Sequence, residues 1–206
     1  MISMSLIIRN IEKGDYKEVE ILTREAFWNV YRPGCSEHLV LHNLHQNNKS
    51  IEDLELVVEC DGKIVGHIVY SKGYIDGLKN ETFITFGPIS VHPNFQKNEI
   101  GSTLIRISMQ KALRLGFSAV FITGNPDYYK KFGFESASKY GVYLQGMPVS
   151  EEAPFFMVKT LKEDVLKDEE GYFIFDECYN VDQDDVDEFD KNFEPKKKEV
   201  RDDHLG

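Results

Sequence analysis

Residues 82–122 form a strand, a loop, a helix and a second strand, and this order limits the possible folds more than any other stretch. Thr82 to Val91 is rich in β-forming residues. From Ile100 onward, apolar residues recur at helical spacing until Gly116, and Phe117 to Ile122 is a short apolar run. A strand, a helix and a second strand in this order predict a right-handed βαβ crossover with a parallel strand pair.

The loop between the first strand and the helix has features of an anion site. The stretch VHPNFQKNEIGSTLI runs from Val91 to Ile105. A helix N-terminus presents N–H groups without helical partners and a partial positive charge, so such a turn can hold a phosphate. Gln96 and Asn98 can donate from their side chains, Gly101 permits close backbone approach, and Ser102 adds a hydroxyl. The residues alone leave a plain strand-to-helix turn as the alternative.

The rest of the chain predicts further elements of an α/β domain. Strands are predicted at Leu6 to Ile11 and in a hairpin, Leu54 to Glu59 and Ile64 to Ser71, joined by Asp61-Gly62. One helix begins at Asp15 as N-cap and ends before Pro33, and a second spans about Ser36 to Gln46. Later predicted elements are a short helix from Pro126 to Gly133 and extended segments at Phe155 to Thr160 and Tyr172 to Phe175.

Length and charge limit the domain organisation and the partners. A chain of 206 residues accommodates one domain and an appendage. We expect a domain over residues 1–179 and an acidic, polar C-terminal tail over 180–206, solvated and partly helical. The net charge of -11 argues against general binding of nucleic acid or of anionic membranes, because both depend on clustered Lys and Arg.

The cysteines and the hydrophobic runs predict the compartment. Cys35, Cys60 and Cys178 are odd in number and show no C-x-x-C spacing. The first residues lack a signal-peptide pattern, and no apolar run reaches the roughly 18 residues of a membrane span. A cytoplasmic location with reduced thiols is the expectation.

Two motifs in a fixed order carry a family resemblance. Gly87-Pro88 interrupts the predicted strand from Thr82 to Val91. The end of this strand and the loop after it read V-x-P-x-F-Q-x-x-x-I-G-S, and Y-Y-x-x-F-G-F follows the helix and the second strand. This arrangement resembles the GNAT superfamily of acyl-CoA-dependent N-acyltransferases, over Leu6 to Lys159 and most specifically over 86–134. The resemblance implies an α/β (α+β) fold whose mixed central sheet of about seven strands is flanked by helices. A splayed parallel strand pair would hold acyl-CoA.

The resemblance also implies a cofactor site for acetyl-CoA, without a metal. The family loop Q-x-x-G-x-G, which binds the pyrophosphate, aligns with Gln96 to Gly101. Backbone groups near the strand interruption would pair with pantetheine, and one N–H could stabilise the thioester oxyanion. The implied cofactor-binding residues are Ile89, Ser90, Val91, Gln96, Lys97, Asn98, Glu99, Ile100, Gly101, Ser102 and Asn125.

Glu99 departs from this pattern, because the family has a glycine there. A carboxylate about 6 Å from a phosphate charge costs about 0.7 kcal/mol in water and about 3 kcal/mol at an effective dielectric constant of 20. If the backbone at Glu99 has a positive φ, a non-glycine residue costs roughly 1 kcal/mol more; if φ is negative, it costs nothing. The sequence leaves both alternatives open.

By the same resemblance, Tyr129 is the acid that protonates the departing thiolate, and Tyr128 is the competing candidate. A thiol and a phenol have ordinary pKa values of about 8.5 and about 10, close enough for this proton transfer. Glu81, His92 or a water chain would take the proton of the substrate ammonium. All three cysteines lie outside the matched motifs, which argues against an acyl-enzyme.

The expected activity is therefore acetyl transfer from acetyl-CoA to a primary amine of a small molecule or peptide. A non-catalytic GNAT-fold module that binds acyl-CoA or a protein partner is the alternative. His38, His42 and His45 share one helix face, where a polar face is favoured over a metal site because no fourth ligand is evident. The acceptor is not specified, and the sequence is compatible with a monomer or a homodimer.

Overall fold

The computed structural model describes residues 5–78, 81–167 and 169–200. The α-helices within these ranges are α1 Tyr16–Phe27, α2 Glu37–Gln46, α3 Ile100–Arg114, α4 Pro126–Tyr129 and α5 Gln183–Asp190. The strands are β1 Leu6–Asn10, β2 Leu56–Cys60, β3 Lys63–Lys72, β4 Tyr74–Ile75, β5 Phe83–Val91, β6 Ala119–Thr123, β7 Glu135–Ser136, β8 Val142–Leu144, β9 Phe156–Thr160 and β10 Gly171–Ile174. Across the described ranges, no helix combines the length and the apolar composition needed to cross a membrane.

The central sheet is mixed and has seven strands, in the order β1-β2-β3-β5-β6-β9-β7. This confirms the predicted fold class and strand number. The predicted parallel pair is β5 and β6, whose ladder joins Phe83, Ile84 and Thr85 to Ala119, Val120 and Phe121. Both strands continue beyond the last of these pairs, to Val91 and Thr123 respectively.

One compact unit comprises the described parts of residues 1–69, 88–104 and 177–206. Its strands β1, β2 and β3 are antiparallel neighbours. Helices α1 and α2 bury their apolar faces against this part of the sheet, since helical spacing places those residues on one side of each helix. The buried cluster contains Val19, Leu22, Val40, Leu41, Leu44, Val57, Ile64, Val69 and Cys178.

The start of α1 differs from the sequence-based expectation in how Asp15 is used. Asp15 occupies the N-cap position, but its side chain makes no capping hydrogen bond to α1. One carboxylate oxygen instead lies 2.6 Å from Arg9 Nη1 and accepts the Glu12 backbone N–H at 2.8 Å. Arg9 thereby ties the entry of α1 to strand β1.

The C-terminal segment belongs to the same unit. Composition alone predicted a solvated tail, whereas α5 and the residues after it pack on α1 and α2. Arg24 Nε lies 2.6 Å from Asp190 Oδ1, and the rings of Phe189 and Phe193 lie 5.3 and 5.2 Å from that of His38. Trp28 Nε1 donates to the Lys197 carbonyl at 3.0 Å. The last part of the predicted tail, residues 201–206, lies outside the described residues.

The other compact unit comprises the described parts of residues 70–87 and 105–176. It contains β6, β9 and β7 and a second sheet of three strands in the order β4-β10-β8. Aromatic rings fill much of its core; those of Phe121 and Phe173 stack with centroids 4.2 Å apart. The buried cluster consists of Ile75, Phe83, Ala119, Phe121, Ala137, Val142, Phe156, Val158, Leu166 and Phe173.

Candidate active site

The predicted anion loop connects β5 to α3. After β5 the chain makes a 3₁₀ turn at Pro93–Phe95 and enters α3 at Ile100. The Thr103 N–H donates to the Glu99 carbonyl at 2.8 Å, which is the first bond of the helical series. The N–H groups of Ile100, Gly101 and Ser102 therefore occupy the first turn, where an α-helix offers no internal acceptor.

The first helical residue is anchored on the sheet. A Cβ built on Gly66 of β3 would lie 2.7 Å from Ile100 Cγ2, so this close contact requires a glycine. Ile100 is 4% exposed. The packing holds the amino end of α3 at a fixed height above β3.

The loop side chains stabilise the loop itself. The Gln96 Nε2 group donates to the Val91 carbonyl at 3.1 Å, and Asn98 Nδ2 donates to the Phe95 carbonyl at 3.3 Å. Residues 96–99 are exposed, whereas Ser102 is only 4% exposed. The sequence suggested side-chain donation to an anion by these amides and this hydroxyl. In this geometry the two amides donate to backbone carbonyls of the loop, and Ser102 is buried.

The backbone at Glu99 settles the question that the sequence left open. Glu99 has φ 60° and Lys97 has φ 64°, both in the left-handed region. For a non-glycine residue, this conformation costs roughly 1 kcal/mol. The family glycine is therefore replaced at a position where glycine would be less strained, and Lys97 carries a second strain that the pattern did not indicate.

The end of β5 presents its backbone beside the interruption. Gly87 has φ 144°, and Pro88 follows. Ser90 is fully buried, and its Oγ lies 2.9 Å from Thr23 Oγ1, so its side chain contacts α1. Ile89 and Val91 are half-buried. These three residues are the predicted pantetheine contacts. Because the Ser90 side chain is buried, only the main chain of Ser90 could contact a ligand.

Tyr129 lies in α4, directly after β6. Asn125 caps this helix, since its Oδ1 accepts the Asp127 N–H at 2.9 Å, and its carbonyl accepts the Tyr129 N–H at 3.1 Å. A Cβ built on Gly124 would lie 2.5 Å from Tyr129 Cε2, so only glycine leaves room for the ring. The cap and the glycine together orient Tyr129 and bring it beside Asn125.

Tyr129 is half-buried among aromatic rings. Its ring centroid lies 6.0 Å from that of Phe86 and 5.8 Å from that of Phe134. The sequence did not single out Tyr70. Burial is the main cause that raises the pKa of Tyr70, whose hydroxyl lies 2.8 Å from Ser108 Oγ. This residue also lies close enough to Tyr129 that a negative charge on Tyr129 raises the pKa of Tyr70. A buried strand residue in an apolar run carries no sequence signal of this proximity.

Tyr128 has a different environment. It is 39% exposed, and Lys131 Nζ lies 4.2 Å from its ring centroid. The rings of the two tyrosines meet edge to face at 5.0 Å. Tyr128 thus occupies the solvent side of α4.

The two predicted base candidates already have partners. Glu81 is exposed and lies 3.3 Å from Lys72 Nζ. His92 Nδ1 accepts the Asn94 N–H at 3.2 Å, which caps the 3₁₀ turn. Neither contact singles out one of them as a base.

The three cysteines are free and buried. Burial raises the pKa of the Cys35 thiol, with Glu37 as a further cause. A thiol held in its neutral form is a poor nucleophile, which argues against an acyl-enzyme at Cys35.

The histidines of α2 each have their own carboxylate. Burial lowers the pKa of His38 to about 4. His38 is 0% exposed and His45 is 6% exposed, so the predicted polar face is buried at two of its three positions. Within the described ranges, no cluster of three or more His, Cys, Asp or Glu is arranged to hold a metal ion. The pairs are His38 with Asp190 at 3.3 Å, His42 with Glu20 at 2.7 Å and His45 with Glu55 at 2.6 Å.

Comparison with known proteins identifies the family. Residues 19–134 match the model of the acetyltransferase (GNAT) family, which is more than half of the 206-residue chain. The chain belongs to this family. By class it is an acyl-CoA-dependent N-acetyltransferase.

Relatives and solved structures agree with this assignment. The chain is 26% identical to the uncharacterized N-acetyltransferase YjhQ of Escherichia coli K12, over 68% of this chain and 76% of YjhQ. The crystal structure of E. coli YhbS, a GNAT family N-acetyltransferase in complex with CoA, superimposes with a TM-score of 0.78 at 21% identity, over 88% of this chain and 95% of YhbS. A GNAT acetyltransferase from Brucella melitensis in complex with acetyl-CoA gives 0.70 at 24% identity, over 85% and 98%.

Proposed function

We propose that this chain transfers an acetyl group from acetyl-CoA to a primary amine of a small molecule or peptide. The observation that carries the proposal is the loop from Gln96 to Ser102. Its own amides brace it, and it turns through two left-handed residues into the first turn of α3. Such a turn presents backbone N–H groups and the positive end of the helix dipole to an anion.

In this proposal the loop holds the pyrophosphate of the cofactor. Backbone N–H groups of Ile100, Gly101 and Ser102 donate to phosphate oxygens, and Lys97 adds a positive charge. Glu99 opposes binding, but its side chain is exposed, so the weaker repulsion in water applies. The CoA and acetyl-CoA complexes of YhbS and of the Brucella enzyme support a cofactor of this type.

The pantetheine arm would pair with the main chain of Ile89, Ser90 and Val91, with Asn125 near its thioester end. The neutral amine attacks the thioester carbonyl, a C–N bond forms, and the oxyanion receives a backbone N–H. The tetrahedral intermediate collapses, the C–S bond breaks, and the sulfur takes the Tyr129 proton. The protons released by the substrate nitrogen pass to water, Tyr129 regains its proton from water, and the products are the amide and CoA as the free thiol.

We further propose that the protein acts in the cytoplasm, as a monomer or a homodimer. The three free, buried cysteines support a reducing compartment, since secreted domains commonly pair their cysteines.

Calorimetric titration with acetyl-CoA and with S-acetylpantetheine, which lacks the pyrophosphate, tests the loop assignment. Two charge-assisted hydrogen bonds to the pyrophosphate contribute about 3 kcal/mol, so acetyl-CoA should bind roughly 100-fold more tightly. Equal affinities would show that the loop does not hold the pyrophosphate. An absence of binding by either ligand would refute the proposed function.

A further inference from the structure

A cavity of about 220 Å³ lies in the segment between β7 and β9. Small-molecule sites commonly measure about 300 to 1,000 Å³, so this cavity suits a compact group. Its walls are mainly apolar, and two carboxylates border it. The residues that matter for its chemistry are Val142, Leu144, Met147, Phe156, Glu151 and Glu152.

The strand register places this segment at the strand ends near Tyr129. Thr123, the last residue of β6, pairs with Phe156, the first residue of β9. The Gly124 N–H donates to the Phe155 carbonyl at 2.9 Å, and Gly124 is the residue that makes room for the Tyr129 ring. The cavity segment therefore rejoins the sheet at a hydrogen bond to Gly124, against which the ring of the proposed catalytic tyrosine packs.

The two carboxylates have unsatisfied charge. Glu151 and Glu152 are exposed, and neither has an ion-pair partner among the residues that the structure describes. Two negative charges at the border of one cavity attract a cation more strongly than one does. Below them, Val142 and Phe156 are buried and supply an apolar floor. The site thus combines a cation-binding rim with an apolar interior.

We propose that this cavity binds the non-reacting end of the acceptor, which is a primary amine with a second cationic group across an apolar chain or ring. This inference rests on the proposed function. The cation at the carboxylates differs from the reacting amine, because carboxylates stabilise an ammonium in its charged, non-nucleophilic form. The apolar spacer packs on the cavity floor while the other amine, once neutral, attacks the thioester.

Three probes of equal length test the inference: 1,6-diaminohexane, hexylamine and 6-aminohexanoate. Binding of each to the full chain is measured by calorimetry, with and without CoA. A second cation at an exposed carboxylate pair gives up to about a fivefold gain, so the diamine should bind up to about fivefold more tightly than hexylamine. The carboxylate of 6-aminohexanoate should make it the weakest of the three.

The double variant Glu151→Gln/Glu152→Gln should reduce the diamine preference to within about twofold and leave hexylamine and CoA binding unchanged. Glu163→Gln, an exposed acid in the same unit outside the cavity wall, is the matched control and should keep the preference. Equal binding of the three probes, no binding by any, or a preference that survives the double variant would overturn the inference. Failure of CoA to bind would refute the proposed function. The comparison of diamine and hexylamine binding without CoA would still test the cavity.

Discussion

Glu99 combines two separable costs at one residue. Its backbone has φ 60°, and its carboxylate stands in the loop that we assign to the pyrophosphate. The strain belongs to the backbone of the loop itself and therefore affects the stability of the fold. The charge also affects the complex, because it repels the phosphates of the cofactor. Stability and cofactor affinity therefore respond differently to different substitutions.

Glu99→Gln should tighten acetyl-CoA binding about threefold, the equivalent of about 0.7 kcal/mol of repulsion. Glu99→Gly should tighten binding by the same factor and also raise the free energy of unfolding by up to about 1 kcal/mol. Calorimetric titration and urea unfolding measure the two quantities. If the glutamine variant binds no more tightly than the parent, the carboxylate lies too far from the cofactor to matter.

At the scale of an element, one largely buried ion pair ties the C-terminal segment to α1. Arg24 retains 3% and Asp190 17% side-chain exposure, so both charges are largely removed from water. Removal of one partner from such a pair leaves the other charge buried and uncompensated. The centroid of the Phe193 ring lies 5.4 Å from the Arg24 guanidinium carbon.

Asp190→Asn should lower the free energy of unfolding by about 3 kcal/mol, near the low end for a buried pair because Asp190 keeps some exposure. The control is Asp187→Asn, which breaks the exposed pair with Lys198 and should cost under about 1 kcal/mol. Denaturant unfolding of both variants gives the comparison. Similar losses for the two would show that burial of the pair is not what holds α5.

Local patterns predicted the elements well where neighbouring residues decide the structure. Helix α3 begins at the predicted Ile100, and the hairpin turn forms at the predicted Asp61-Gly62. The docking of α5 was missed, although Val186, Phe189 and Phe193 recur at i, i+3 and i+7. Three apolar residues among many acids give a weak signal, and their partners on α1 and α2 are over 140 positions away.

The same limit applies to the candidate site. The order of motifs was sufficient to indicate the loop and Tyr129. It could not show that Gln96 and Asn98 use their amides on nearby carbonyls, because that choice depends on distances. Nor could it show the left-handed φ of Glu99, because a glutamate can adopt either a negative or, at some cost in energy, a positive φ. The cavity between β7 and β9 depends on strand register and had no motif.

At the scale of the whole molecule, acid stability depends on Glu55. This carboxyl is 0% exposed, and its Oε1 lies 2.6 Å from His45 Nε2 and 2.8 Å from His67 Nε2. Burial by itself raises its pKa, but the two histidine hydrogen bonds outweigh burial and hold the pKa at about 2. The charged carboxylate therefore stabilises the fold above its unfolded pKa of 4.5.

That stabilisation should be lost as the pH falls from about 4.5 to about 2, since the unfolded chain then binds a proton that the folded chain does not. The shift corresponds to about 3 kcal/mol. Glu55→Gln should lower stability at pH 7 by a similar amount and flatten the pH dependence in this window. Glu52→Gln, an exposed acid nearby, is the control. Parallel pH profiles for Glu55→Gln and the parent would contradict this account.

The most direct test of the proposed activity is the rate of amine-dependent CoA release, followed by thiol detection, in wild type, Tyr129→Phe and Tyr128→Phe. Loss of a general acid lowers kcat by about 10²-fold or more. We predict this loss for Tyr129→Phe, with the KM for acetyl-CoA unchanged, and wild-type kcat for Tyr128→Phe, since the two rings are neighbours in α4. Unchanged kcat in Tyr129→Phe, or a larger loss in Tyr128→Phe, would contradict the assignment of Tyr129 as the acid.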